Sequence, residues 1–125
     1  MKHYNYSMGL TFVRMNIKNP ARPRKTFAEK FLVDSGALYS VVSEKNLLEL
    51  GIKPQRIQEF TMADGTHVSR KIGDAIFELD GVQAPAPVIF GKKGDATLLG
   101  VVTLEALGLM LDPLQRKLRP MKLRL

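Results

Sequence analysis

The chain has 125 residues, no Cys and a formal net charge of +7, because 19 Lys and Arg residues outnumber 12 Asp and Glu. This length predicts a single domain over residues 1–125. The elements predicted below span its core, from about residue 8 to residue 119. The hydrophobic fraction of 45% is ordinary for a globular protein and argues against a wholly disordered chain. The absence of Cys excludes disulfide scaffolds, thiolate catalysis and Cys-ligated zinc.

The composition also gives little support for a metal or membrane site. Two His residues, His3 and His67, are too few for a His-rich metal centre, and we expect neither a metal nor a cofactor. No stretch approaches the ~18 consecutive apolar residues that span a bilayer, and the N-terminus lacks the apolar segment of a secretory signal. We therefore expect no membrane association and, with no Cys present, a cytoplasmic location.

Basic residues are concentrated in two segments, residues 14–30 and residues 116–124. Such patches could bind phosphate or an acidic partner. The C-terminal segment, however, lacks the interleaved aromatic residues on which nucleic-acid bases stack, and a run of charge is more often a solvated face. The sequence therefore favours no specific nucleic-acid binding.

The first 90 residues are predicted to be mostly β. Residues 8–17 form a long predicted strand, with a bulge or twist near Phe12 and Val13 where the apolar positions change parity. Two prolines in residues 19–24 predict a connection. Residues 27–33 then predict a strand that becomes fully apolar as it enters the core.

Two short helices are predicted. The first runs from Glu44 to Leu50, with Ser43 as its N-cap and Gly51 as its stop. Three of its leucines are predicted to face inward: Leu47, Leu48 and Leu50. The second covers residues 101–107 and ends at Gly108.

Two Asp-Gly pairs predict β-hairpins. Strands over residues 57–62 and 67–79 flank the tip at residues 63–66, and Asp-Gly tolerates the positive φ that such a turn needs. Asp80-Gly81 predicts a second hairpin, and the strand that follows it is expected at a sheet edge because it contains two prolines, Pro85 and Pro87. Two final strands are predicted over residues 109–112 and 117–119.

The chemistry centres on Asp34, at the end of an apolar strand where an ionised carboxylate is costly to bury. Gly36 permits a tight turn, Ser35 supplies a hydroxyl, and Ala37 leaves room beside the carboxylate. Taken alone, the tripeptide favours the simpler interpretation of a loop Asp that caps its own turn.

The order of parts resembles the retroviral-type aspartic proteases. An apolar strand leads into Asp34-Ser35-Gly36-Ala37, and a short helix, a Gly-containing hairpin and Leu98-Leu99-Gly100 before a helix follow. The resemblance covers roughly residues 8–118 and is closest to the small single-domain bacterial members, in which a Gly-Leu pair and an Asp follow that helix, as in residues 108–112 here.

The resemblance implies an all-β, closed barrel-like fold with one or two short helices, assembled as a homodimer. The chain holds one Asp-Ser-Gly, so each subunit would supply one Asp34 to a shared active site. Two facing carboxylates cannot both ionise easily and share one proton. The ionised member would activate water for attack on the peptide carbonyl, and the protonated member would donate to the carbonyl oxygen.

The resemblance also implies a role for each site residue. Asp34, Ser35 and Gly36 would form the catalytic loop, with the Ser35 hydroxyl bridging the two subunits. An extended peptide or protein substrate would be held by Ala37 and by the hairpin tip, or flap, which consists of Ala63, Asp64, Gly65 and Thr66.

One departure and one alternative remain. Leu38, Tyr39 and Val101 stand where retroviral members carry an ion pair beside the dimer interface, so the dimer contact is expected to be built differently here. The alternative to an aspartic endopeptidase is a non-catalytic peptide-binding or dimerisation module with the same fold, because a fold does not guarantee an activity.

Overall fold

The computed structural model describes residues 4–7 and 10–122, with side chains from residue 10 onward. The predicted strand start at Met8 and the residue His3 lie outside this part. The strands are β1 Tyr4–Ser7, β2 Leu10–Asn19, β3 Arg22–Val33, β4 Ser40–Ser43, β5 Arg56–Thr61, β6 His67–Leu79, β7 Val82–Gly91, β8 Leu98–Leu99, β9 Leu109–Asp112 and β10 Lys117–Pro120. The helices are α1 Glu44–Glu49 and α2 Val101–Ala106. The predicted all-β class with short helices is confirmed.

Six of the strands form a closed ring. The large sheet has the order β1-β2-β3-β8-β4-β7-β6-β5, and β2 also pairs with β6 where Asn16–Lys18 meets Ile76–Glu78. The ring β2-β3-β8-β4-β7-β6 therefore closes on itself, which leaves β1 and β5 beside it as extra strands. Closure leaves few exposed strand edges. Strands β9 and β10 form a separate two-stranded sheet.

Strand β2 alternates regularly between core and outer face. Its buried residues recur at every second position: Thr11, Val13, Met15 and Ile17. The predicted bulge near Phe12 and Val13 is therefore wrong, and the register shifts instead between Lys18 and Asn19. Phe12 lies on the outer face, where the Lys30 ammonium is 4.7 Å from its ring centroid. The Lys30 side chain shields the Phe12 ring on this face, so the ring is not buried in the core.

Residues 19–24 are not wholly the predicted connection, because β3 already begins at Arg22. The turn is closed by the Asn19 side chain, whose Oδ1 accepts the Ala21 N–H at 2.9 Å. Residues 23–25 have no partner on β2, since pairing passes from Arg22 directly to Thr26. Pro23 therefore sits in a strand at a place where this ladder does not need its missing N–H.

The prediction that β7 is an edge strand is also wrong. Strand β7 pairs with β6 over Val82–Ile89 and with β4 over Val88–Gly91. Both prolines, Pro85 and Pro87, lie before the pairing with β4 begins. They occupy the part of the strand that these ladders pair on one side, where a residue without an N–H is tolerated.

The local turn and cap predictions are confirmed. In the β6–β7 turn, Asp80 and Gly81 adopt φ of 52° and 81°. The Ser43 side chain accepts the Asn46 N–H at 3.3 Å at the start of α1, and Gly51, with φ of 78°, follows its end. Among the described residues, no helix is long and apolar enough to cross a membrane.

Two of the three leucines predicted to face inward are buried, Leu47 in α1 and Leu50 at its C-cap. Leu47 and Leu50 are 0% and 3% exposed, whereas Leu48 is 53% exposed. Residues three apart share a helix face, and the residue after Leu47 is rotated away from it by the helical repeat. The prediction that Leu48 faces inward is therefore wrong.

Leu47 and Leu48 form a matched pair for measuring how much the buried face of α1 contributes to stability. We expect Leu47→Ala to lower the free energy of unfolding by about 3 kcal/mol, because it opens a cavity in the core. Leu48→Ala should cost about 0.5 kcal/mol or less, because its side chain is half in solvent. Urea denaturation measures both, and equal losses would contradict this packing.

Candidate active site

Asp34 lies where β3 ends, and its side chain is half-buried. Its N–H donates to the Leu99 carbonyl at 3.1 Å, and its own carbonyl accepts the Ala37 N–H at 3.1 Å. Its carboxylate oxygen Oδ1 accepts the Gly36 N–H at 2.9 Å. The backbone thus holds Asp34 on three sides, while part of the side chain remains open to solvent.

Strand β8 supports the Asp34 loop. It lies between β3, which leads into the loop, and β4, which follows the loop. Leu98 and Leu99 pair in parallel with Leu32 and Val33 of β3. On its other side, Leu98 pairs antiparallel with Val41 of β4. The chain therefore leaves β3, forms the Asp34 loop and returns in β4 with β8 between the two strands.

Gly100 follows β8 and lies directly beneath the loop. A Cβ at Gly100 would be 2.6 Å from the carbonyl carbon of Tyr39 and 2.8 Å from the carbonyl oxygen of Leu38, so the close approach requires glycine. The next two N–H groups, of Val101 and Val102, donate to the carbonyls of Ala37 and Leu38 at 2.9 and 3.0 Å. The segment Leu98-Leu99-Gly100 therefore packs beneath the loop.

A row of apolar side chains extends across the outer face of the sheet beside Asp34. Alternation along β3 places Leu32 and Asp34 on the same face, and residues directly paired across strands share a face. The register continues the row across four further strands: Leu98, Val41, Ile89 and Ile72. Sequence reasoning missed this row, because only the pairing of distant strands aligns its members.

The predicted flap is the tip of the β5–β6 hairpin, and its residues 63–66 are exposed. The Asp64 carboxylate accepts hydrogen bonds from the Thr66 hydroxyl at 2.6 Å and from the Thr66 N–H at 2.9 Å. These bonds, the hydroxyl first, lower the pKa of Asp64. Gly65 adopts φ of 88°. Within residues 10–122, no described hydrogen bond or ion pair joins this tip to Asp34.

The returning arm of the hairpin is tied to the loop that leads into β8. Arg70 donates from Nε and Nη2 to the two carboxylate oxygens of Asp95, at 2.7 and 3.0 Å. Asp95 also accepts the Lys92 N–H at 2.8 Å. The hydrogen bond from Arg70 is the largest cause of a lowered pKa at Asp95. No local pattern in the sequence indicates this pair, because its two residues lie 25 positions apart.

The remaining predicted residues lie as follows. Ser35 and Gly36 are exposed, and within residues 10–122 the Ser35 hydroxyl has no described hydrogen-bond partner. His67 is on the surface of the hairpin, 3.4 Å from Glu59. In the described part of the chain, no group of three or more His, Cys, Asp or Glu side chains could hold a metal ion.

No protein-family model matches the chain, and no curated protein matches it significantly. The geometry of the described residues places the half-buried Asp34 on a loop held by backbone contacts, beside an apolar row.

The Arg70–Asp95 pair should make the free energy of unfolding fall at acidic pH. Because the folded state lowers the pKa of Asp95, the pair stabilises fully above the ordinary value of about 4. Its contribution is lost as pH falls through the lowered folded pKa. We expect Arg70→Gln to cost about 1 kcal/mol at pH 7, because the pair is bidentate and mostly shielded from solvent.

Urea denaturation at a series of pH values measures this difference, which should shrink below about pH 4. Lys71→Gln is the matched control, since Lys71 contacts Glu44 only at 4.0 Å and is half-exposed. We expect the control to show a small cost at every pH. A cost for Arg70→Gln that is the same at pH 7 and pH 3 would contradict the assignment.

Proposed function

We propose that the protein is an aspartic endopeptidase of the retroviral type that hydrolyses peptide bonds with one Asp34 from each of two identical subunits. The observation that carries the proposal is the setting of Asp34. A half-buried Asp34 directly follows β3, whose last residues include the buried Phe31 and Val33, and its loop is held from beneath by β8 and α2. Such a rigid support is what a catalytic group needs.

The chemistry requires a second carboxylate. Water is activated by an ionised group, and the carbonyl oxygen receives a proton from a protonated one. The chain contains one Asp-Ser-Gly, so a second copy is the source of the partner group. Two Asp34 carboxylates in contact would hold one proton between them and supply both roles.

The surface around Asp34 suits contact with a second copy. Leu38, in the same loop, is 59% exposed, and the exposed Ser35 hydroxyl is available to a partner. Residues 31–44 contain no Lys or Arg, although the chain carries a net charge of +7. Pairing through this loop would therefore not bring basic side chains of the loop itself together.

The substrate is an extended peptide held between the apolar row and the flap. Leu32, Leu98 and Val41 lie on the face that Asp34 shares, so they favour apolar side chains near the cleaved bond. The exposed tip at residues 63–66 would cover the peptide, which would bind in an extended conformation as an added strand. Ala37 and the tip are thus substrate-binding residues in this proposal.

One contact favours the alternative of a non-catalytic module that binds peptides or dimerises. The bond from the Gly36 N–H to Asp34 Oδ1 is the one an ordinary turn Asp makes. In that alternative, Asp34 stabilises the loop and the protein binds peptides without cleaving them. A cleavage assay separates the two functions directly.

We expect Asp34→Asn to lower peptide cleavage at least about 100-fold, because the substitution keeps the shape and removes the titrating group. A peptide library followed by mass spectrometry measures cleavage without a known substrate. The matched control is Asp80→Asn in the β6–β7 turn, where Asn tolerates the positive φ. Undiminished cleavage by Asp34→Asn would refute the assignment. A wild-type protein that binds peptides but leaves them intact would support the alternative.

A further inference from the structure

We propose that Ser40 and Thr103 are positioning residues that hold the Asp34 loop in its catalytic geometry. This inference rests on the proposed endopeptidase function. The two residues lie 63 positions apart, Ser40 at the start of β4 and Thr103 in α2, and both are 0% exposed. Buried hydroxyl groups need hydrogen-bond partners, and these two supply one for each other.

The two hydroxyl oxygens are 2.5 Å apart and share a hydrogen bond. Ser40 Oγ also accepts the N–H of Gly100 at 3.0 Å. Gly100 is the N-cap residue of α2 and has no side chain to make a cap of its own. Ser40 therefore pairs a buried backbone donor that would otherwise lack a partner, and Thr103 holds Ser40 in place.

This contact differs in kind from the others that join the loop to β8 and α2. The N–H groups of Asp34, Val101 and Val102 bond to backbone carbonyls, which many sequences could provide. The bond from Gly100 goes to a side chain, so it depends on the residue at position 40. Besides Gly100 itself, the hydroxyl pair is thus a second place where residue identity controls how closely β8 and α2 approach the loop.

A small movement of Gly100 would shift Asp34 through the backbone contacts between them. The backbone of Tyr39 and Leu38 lies against Gly100 without a gap, and Val101 holds the Ala37 carbonyl. Ala37 in turn donates its N–H to the Asp34 carbonyl. Reaction rates are sensitive to shifts of about 1 Å in catalytic groups. Loss of the hydroxyl pair should therefore lower kcat without removing the residues that bind substrate.

Thr103 offers a matched pair of variants. Thr103→Val keeps the volume and removes the hydroxyl, whereas Thr103→Ser keeps the hydroxyl and removes a methyl group. Measured above the dimer dissociation constant, Thr103→Val should lower kcat about 10-fold with KM within about 2-fold of wild type. Thr103→Ser should keep kcat within about 2-fold of wild type.

The Gly36 amide gives a readout that does not need activity, because it donates to Asp34 Oδ1. Thr103→Val should move the amide resonance of Gly36 and speed its hydrogen exchange, and Thr103→Ser should not. If the wild-type protein cleaves nothing, the Gly36 readout still decides the positioning role while the proposed function fails. If Thr103→Val does not fold, Ser40→Ala is measured in the same way against Thr103→Ser.

The proposal is overturned if the variant without the hydroxyl keeps both the wild-type kcat and the wild-type Gly36 amide while only its unfolding free energy falls. That result would assign the hydroxyl pair to stability alone. An equal loss of kcat in Thr103→Ser and Thr103→Val would also overturn it, because the methyl group rather than the hydroxyl would then matter.

Discussion

The insertion of β8 between β3 and β4 is the constraint on which the rest of the site depends. Leu98 and Leu99 separate the strand that enters the Asp34 loop from the strand that leaves it. Gly100 then passes so close to the Tyr39 backbone that no other residue could occupy its place. A loop packed this closely has little conformational freedom, and the closed ring of six strands supports it.

The strand geometry also explains why Asp34, the proposed catalytic residue, lies on the outer face of the sheet. The alternation that buries Phe31 and Val33 turns Leu32 and Asp34 to the other face. The core therefore gains two apolar side chains, and Asp34 stays half-buried beside an apolar row. In the proposed endopeptidase, one Asp34 carboxylate would be half of an acid–base pair, and a second subunit would supply the other half.

Turns and helix caps, which depend on neighbouring residues, are predictable from the sequence, whereas strand neighbours and side-chain pairs that join distant segments are not. The Asp80-Gly81 turn and the Ser43 cap follow from local chemistry, and the structure bears them out. The edge prediction for β7 fails because its pairing with β4 begins only at Val88, beyond both prolines. The Ser40–Thr103 pair joins residues 63 positions apart, so no local pattern announces it.

The dependence of specific activity on protein concentration, measured together with sedimentation velocity, shows whether two subunits share one active site. If each active site needs Asp34 from two subunits, the rate should rise with about the square of concentration below the dimer dissociation constant and become linear above it. The chain carries one Asp-Ser-Gly, so a monomer has no means of completing the pair. Constant specific activity at concentrations where sedimentation shows only monomer would contradict the account.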